Sequence, residues 1–359
     1  MTFSLQDGIL TSAEERMTSL STSGTRAAAY VEDNPGTLEK SDGRMFMISL
    51  RNHDEMCTKA ADNCTRSKDL LVSVAGLLGR TQQRYDATEN DNLVEVDDIF
   101  AGLGGASGRE DAGLGESGTA TTFGTSLPHE SLQPPTQAEL PEIAWIAFGL
   151  GGDLISPTYW TRKIIEWTTG VDPVGWVVEQ CSGDWKKVGE AGDAFDKLGD
   201  YWTEFGETIR TDAGVLLRGW TGDAANVAED YFRRLAEAFE GQTAALQELG
   251  STYNSLSIGM LTANQAINNL INMILDLTCG AALLAAAIAV ATGSVVGAPA
   301  ALAMLELLLI DIELIMGLWA QLIFWHGVAM TAVYGVTGLF AGYLSTIHPV
   351  EQIEMPNAG

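Results

Sequence analysis

The side chains that most often do chemistry are few here and poorly grouped. His53, His129, His326 and His348 are scattered, and none has metal-ligand spacing with a cysteine or carboxylate. Cys57 and Cys64 lie seven apart on an expected helix, about 10 Å by helical rise, too far for an undistorted disulfide. Cys181 and Cys279 are isolated. No Gly-x-Ser-x-Gly, His-Glu-x-x-His or Cys/His nucleophile arrangement occurs. Gly149-Leu150-Gly151-Gly152 has no strand before it and no Lys in P-loop register, so it is a weak phosphate loop. Carboxylates are abundant, but on solvated helix faces. These residues predict a protein that is not an enzyme and has no metal site and no cofactor.

The charge balance narrows the partners. The 359 residues carry 47 acidic and 20 basic side chains, a formal net charge of -27. That field repels phosphate backbones, which argues against nucleic-acid binding. From Leu235 to Gly359 there is no Lys or Arg. Met1 to Arg16 contains Asp7, Glu14 and Glu15 and lacks the apolar stretch of a cleavable signal peptide.

The elements that would position any site are helical throughout. The pattern predicts an all-α chain: two helical-hairpin regions joined by a disordered linker, the second a long antiparallel bundle with an apolar Gly/Ala-rich tail. In the first region, 1–100, Leu70, Leu71, Val74, Leu77 and Leu78 form one helical stripe. Asn34-Pro35-Gly36 and Asp42-Gly43 break the pattern, giving a helix, a turn and a second helix ending after Tyr85. Residues 101–140 are dominated by Gly, Ser, Thr and Pro; they offer too little apolar area to offset ordering entropy and predict a flexible linker. The third region is 141–359. Asp153, Ser156 and Pro157 suggest a helix start before Thr158–Thr169, and Asp172-Pro173 a turn before a short helix.

Two heptad seams follow. Val188, Ala191, Phe195, Leu198, Trp202, Phe205 and Ile209 alternate at spacings of three and four. Leu246, Leu249, Tyr253, Leu256, Met260, Ala263, Ile267, Leu270, Ile274 and Leu277 keep the same alternation. The break between the seams, Arg218 to Asp223, predicts an antiparallel hairpin. Gly222 allows the reversal, and Thr221 or Asp223 is expected to cap the next helix. Trp220 is expected to be a packing residue that pins this turn.

The tail is apolar. Thr278 to Leu305 has no charged side chain, and Leu314 to Ile347 has none apart from the titratable His326. Gly297-Ala298-Pro299 predicts a turn between two apolar helices, and Glu306, Asp311 and Glu313 are expected on the turns between the spans. Both stretches exceed the roughly 20 residues that span a bilayer. One reading has these helices extend the bundle, and the other has 278–347 insert as a membrane hairpin. The missing Lys/Arg flanks and the cost of carboxylates in lipid weigh against insertion.

Trp220-Thr221-Gly222 between two heptad helices resembles the WXG (ESAT-like) family of helical hairpins exported by type VII secretion systems. Residues Asp153–Ala341 resemble an actinobacterial subgroup, with Ser-Pro-x-Tyr-Trp at Ser156–Trp160, Gly-x-Asp-Pro at Gly170–Pro173, Gly-Asp-Trp at Gly183–Trp185, the Trp-x-Gly turn and an apolar tail in order. The first region resembles a second hairpin type of the same machinery, the EspC-like proteins. There a Tyr-x-x-x-acid export signal follows the hairpin, and Tyr85 and Glu89 occupy that place, one helical turn apart.

The resemblance implies a secreted or cell-surface protein exported by a type VII (Esx) system without a cleaved signal peptide. It further implies that the secretion ATPase reads Tyr85 and Glu89, and that the seam residues Val188, Phe195, Leu198, Trp202, Phe205, Leu249, Leu256 and Ile267 dock a partner WXG/Esx-like hairpin protein or a second hairpin of this chain. The alternatives are a membrane-inserting or pore-forming module using 278–347, and a toxin-head domain expected to lack its effector because the sequence ends at Gly359.

Overall fold

The computed structural model describes residues 4–38, 43–87, 122–136, 173–292 and 298–346. Those residues form an all-α fold with one two-stranded pairing. In chain order the elements are β1 (Ser4–Leu5), α1 (Ile9–Asp33), α2 (Arg44–Ser49), α3 (His53–Ala87), α4 (Pro173–Cys181), α5 (Trp185–Gly219), β2 (Trp220–Thr221), α6 (Asp223–Glu240), α7 (Thr243–Ala291) and α8 (Ala298–Thr346).

Each hairpin follows from its apolar spacing and its stop signals. α1 buries Leu10, Ala13, Met17, Leu20, Ala27 and Val31 on one face. It ends where Asn34 Nδ2 donates to the Tyr30 carbonyl, 2.8 Å, just before Pro35. α3 returns with Met56, Ala60, Cys64, Leu71, Val74 and Leu78 facing α1 and the core. α5 starts on Asp184, whose Oδ1 accepts from the Lys187 amide at 3.1 Å. This is the N-cap bond that satisfies an otherwise orphaned amide. Trp185 is fully buried against Phe46, and its Nε1 donates to the Cys181 carbonyl. The sequence motif Gly183–Trp185 is therefore a helix-start device that ties α4, α5 and α2 together.

Both heptad seams are core. Val188, Phe195, Leu198, Trp202, Phe205, Leu249, Leu256 and Ile267 are all buried. The returning arm differs from the single helix expected: it breaks at Gly241-Gln242 into α6 and α7. Beside the apolar seam of α5 runs a second, smaller periodicity of glycines. Gly192, Gly199 and Gly206 recur every seven residues and lie against the returning arm. A Cβ at Gly192 would stand 2.8 Å from the Gly250 carbonyl oxygen, and one at Gly250 2.6 Å from that of Gly192. The backbones of α5 and α7 meet there.

The two hairpins share one core. Arg16 of α1 and Asp212 of α5 form a buried ion pair, Nε to Oδ2, 2.7 Å. His53 of α3 stands 2.6 Å from the Tyr253 hydroxyl of α7, and Asn63 Nδ2 donates to Gln242 Oε1 at 3.0 Å. β1 pairs antiparallel with β2, Ser4 opposite Thr221 and Leu5 opposite Trp220. The seams are thus covered within the chain.

Three further expectations are corrected. Residues 122–136, inside the expected linker 101–140, are an ordered strap; residues 101–121 and 137–140 lie outside the described residues. Arg16 Nη2 donates to the Ser126 carbonyl, the Tyr30 hydroxyl to the Gln133 carbonyl and Lys197 Nζ to the Pro134 carbonyl. Apolar area alone does not reveal these polar anchors. The residue capping α6 is Gly222, with φ 129°, so neither Thr221 nor Asp223 occupies the N-cap position. Finally, Glu306, Asp311 and Glu313 lie inside α8, not on a turn. The uncharged stretch Thr278–Leu305 is divided between the end of α7 and the start of α8; of the expected turn Gly297-Ala298-Pro299, Ala298 and Pro299 open α8 and Gly297 lies outside the described residues.

Candidate functional site

Among the described residues, His53, Cys57 and Cys181 are buried in the core. The Pro35 carbonyl lies 2.8 Å from His53 Nε2 and can only accept, so that nitrogen carries the proton. In the neutral ring Nδ1 then accepts from Tyr253. Cys57 Sγ is 3.5 Å from His53 Nε2, a pairing the sequence spacing did not bring out. Burial, reinforced by Asp54, pushes the Cys57 thiol up to about 12. Burial alone does the same to Cys181. An activated nucleophile needs a shift in the other direction. The Arg16–Asp212 pair is likewise a strut. Burial raises the Asp212 carboxyl, against the pull of Arg16 and of the Gly124 amide.

The arrangement best suited to recognition is at the hairpin turn. β1 holds β2 in place, and the Gln6 amide donates to the Gly219 carbonyl at 2.7 Å. Gly219 is needed for this approach, because a Cβ there would stand 2.8 Å from Ile9 Cγ1. Trp220 is thereby fixed against the end of α3. Its ring meets that of Tyr85 edge to face, centroids 6.5 Å apart, with planes at 77°. Both side chains are 4% exposed.

An apolar groove runs from this pair between α3 and α6. Val74, Leu77 and Leu78 line one side; Val227, Tyr231 and Phe232 line the other, with Trp220 at its end. Two of its lining residues carry a buried polar atom with no hydrogen-bond partner, Trp220 Nε1 and Tyr231 OH; Gln82 Oε1, next in sequence to the lining Thr81, is likewise without one. Buried polar atoms are rarely left so. Burial, partly offset by Arg234, pushes the Tyr231 hydroxyl up to about 12, so it stays a donor near neutral pH. The groove therefore combines an apolar lining with two lining residues, Trp220 and Tyr231, that each carry a buried donor without a partner. Such a site suits an amphipathic segment that brings a carbonyl or carboxylate.

Of the residues singled out in the sequence, Tyr85, Trp220 and Gly222 converge here. The eight seam residues lie elsewhere, in the core. Glu89 lies outside the described residues. Tyr231 and Gln82 went unnoticed because nothing local distinguishes a helix-face tyrosine or glutamine whose hydrogen bonds fail in the fold. Comparison with known protein families, with curated proteins and with solved structures finds no match to this chain.

Proposed function

We propose that this chain is a non-enzymatic substrate or adaptor of a type VII (Esx) secretion system, recognised at the end of the bundle where Tyr85 and Trp220 meet. One observation carries the reading. The residues of two motifs, drawn from different hairpins, stack edge to face beside a groove with unpartnered donors. Either motif alone is weak; their meeting at one place is what a composite signal requires. In this reading the chain's own α1–α3 hairpin fills the slot of a separate partner hairpin. The secretion ATPase is the partner for the groove, and the protein reaches the cell surface or medium without a cleaved signal peptide.

The test compares supernatant, membrane and cytosol in a host with and without a working type VII system. Presence in the supernatant of the competent strain alone supports the reading. Equal release from both strains sinks it. Tyr85→Phe should retain export, whereas Tyr85→Ala and Glu89→Ala should abolish it, with all three proteins still folded by thermal melt.

A further inference from the structure

α8 is buried on one side only. Ile315, Leu322, Ala329 and Val333 face α7 and the core. A Cβ at Gly280 would stand 3.9 Å from Asp311 Oδ2, so the antiparallel arms set residues 262–276 of α7 beside 315–329 of α8. There the outer side of α7 is mostly polar: Thr262, Gln265, Asn269 and Asp276 are exposed, with Met273 the one large apolar side chain among them. The outer side of α8 is apolar. Phe324 is 64% exposed, Tyr334 54%, Leu339 52% and Leu314 51%, and Trp325 and Val328 are exposed beside them. A large side chain half open leaves on the order of 100 Å² uncovered. With Met316 and Ile323 at its edges, this face offers on the order of 800 Å² per copy, which is one side of a standard interface.

The centre of the face has a palindromic spacing. Gly317, Ala320, Phe324, Thr331, Gly335 and Gly338 are all exposed and stand 3, 4, 7, 4 and 3 residues apart. A seam that reads the same in both directions is self-complementary under a two-fold axis. Laid antiparallel on a second copy, Gly317 meets the partner's Gly338, Ala320 the partner's Gly335 and Phe324 the partner's Thr331, with Val328 beside the axis. The one large ring of the seam then lies over a smaller side chain, whereas parallel pairing would set Phe324 on itself. A Cβ at Gly317, Gly335 or Gly338 would meet nothing within 4 Å. Glycine weakens a helix interior. At Gly192 and Gly250 it lets two backbones touch; on α8 no element among the described residues makes that approach.

Charge selects the occupant. Leu314 to Thr346 carries no Asp, Glu, Lys or Arg, so a partner surface of ordinary composition would bury charges that nothing here can pair. A second copy of the same face brings none. Lipid fits less well. Glu313 and Glu306 lie eleven and eighteen residues before Phe324, on its side of the helix, and an acyl phase would cover them at a cost. The antiparallel seam ends at Gly317 and leaves both outside it. No Lys or Arg follows Arg234 to hold headgroups.

We propose that the chain forms a two-fold dimer through the outer face of α8, the two copies of this helix crossing antiparallel about an axis beside Val328. The inference is independent of the export reading, and its test needs no secretion system.

The full chain in detergent-free buffer is followed by sedimentation velocity over a range of concentrations, with and without phosphatidylcholine vesicles. A monomer–dimer equilibrium is expected. Phe324→Asp with Val328→Asp should raise the dimer dissociation constant more than about tenfold while keeping the wild-type helical content. Gly335→Leu puts its new side chain into space that is open in the single chain, so it should fold as wild type and weaken the dimer because it crowds the partner's Ala320. In a Cys279→Ser background, oxidation should cross-link Val328→Cys to its own copy and leave Leu309→Cys, far from the axis, uncross-linked. Four results would overturn the proposal: a monomer mass at every concentration, a dimer equally tight in both variants, cross-linking at 309 as strong as at 328, or uptake of the chain by the vesicles as a monomer.

Discussion

Tyr85, near the end of α3, and Trp220, in the turn after α5, meet edge to face with ring centroids 6.5 Å apart. The contact joins the last turn of one hairpin to the reversal of the other. Edge-to-face pairs contribute about 0.5–1.5 kcal/mol beyond their buried area. A double-mutant cycle with Tyr85→Leu and Trp220→Leu should return a coupling in that range by denaturant unfolding. Additive effects would show that the rings are neighbours without interaction. Trp220→Phe separates packing from recognition. It keeps an aromatic ring but removes the pyrrole with its unpartnered buried donor, so the loss of stability should be limited to the smaller buried volume, about 1–2 kcal/mol. Export should nonetheless fall if the indole N–H serves the groove's ligand, and unchanged export would remove that donor from the signal.

The Arg16–Asp212 strut should behave as a buried ion pair does. Both side chains are almost fully buried, and Arg16 also holds the strap through the Ser126 carbonyl. Removing either partner leaves an uncompensated charge, so Arg16→Ala or Asp212→Ala should cost about 3–5 kcal/mol. Replacing both with leucine should recover most of that loss, because neither desolvated charge remains. A double variant as unstable as the singles would mean that the strap bond, not the pair, carries the energy.

The glycine ladder gives a different kind of prediction. At Gly192 and Gly250 the intruding atoms are backbone carbonyl oxygens, which cannot swing away as side chains do. Alanine at either position must push α5 and α7 apart and should destabilise by about 1–3 kcal/mol. At Gly199 the nearest atom is Gln247 Cγ, the flexible part of a long side chain, so Gly199→Ala should cost clearly less. Equal losses at all three positions in urea melts would show that close approach is not the cause.

The helices and their buried faces could be read from the sequence because period and burial are local properties. Phe195, Leu198 and Leu249 announce themselves by spacing and are core. What stayed hidden depends on tertiary placement. Gly241 breaks the returning arm where the second seam had only begun to be read, at Leu246. Arg16 and Asp212 look like ordinary surface charges until α1 is laid on α5. The candidate site was half legible: Tyr85, Trp220 and Gly222 stood out as motif residues, but only folding brings Tyr85 to Trp220 and leaves Tyr231 without a hydrogen-bond partner. The strap was misread because Pro134, a residue typical of linkers, serves through its carbonyl.

That strap should loosen in acid, in two stages. His129 Nδ1 lies 3.0 Å from Ser23 Oγ, and burial lowers its pKa below 6.5, with Arg26 acting the same way and Glu130 opposing. A base held low in the fold contributes stability above its unfolded value, and that contribution is lost as pH falls from 6.5 toward the folded value. The second stage belongs to Asp193. Burial alone would raise its carboxyl, but Lys197 and the amide and hydroxyl of Thr136 outweigh burial and hold it below 3.8. An acid held low contributes stability above its unfolded value and loses it as pH falls through the folded one. Hydrogen-exchange protection of residues 122–136 should therefore drop first below about pH 6.5 and again below about pH 4, before the protection of α5 changes. Asp193→Asn should remove the lower step and leave the upper one in place. A strap that loses protection only together with α5, in one cooperative step, would show that these two groups do not control it.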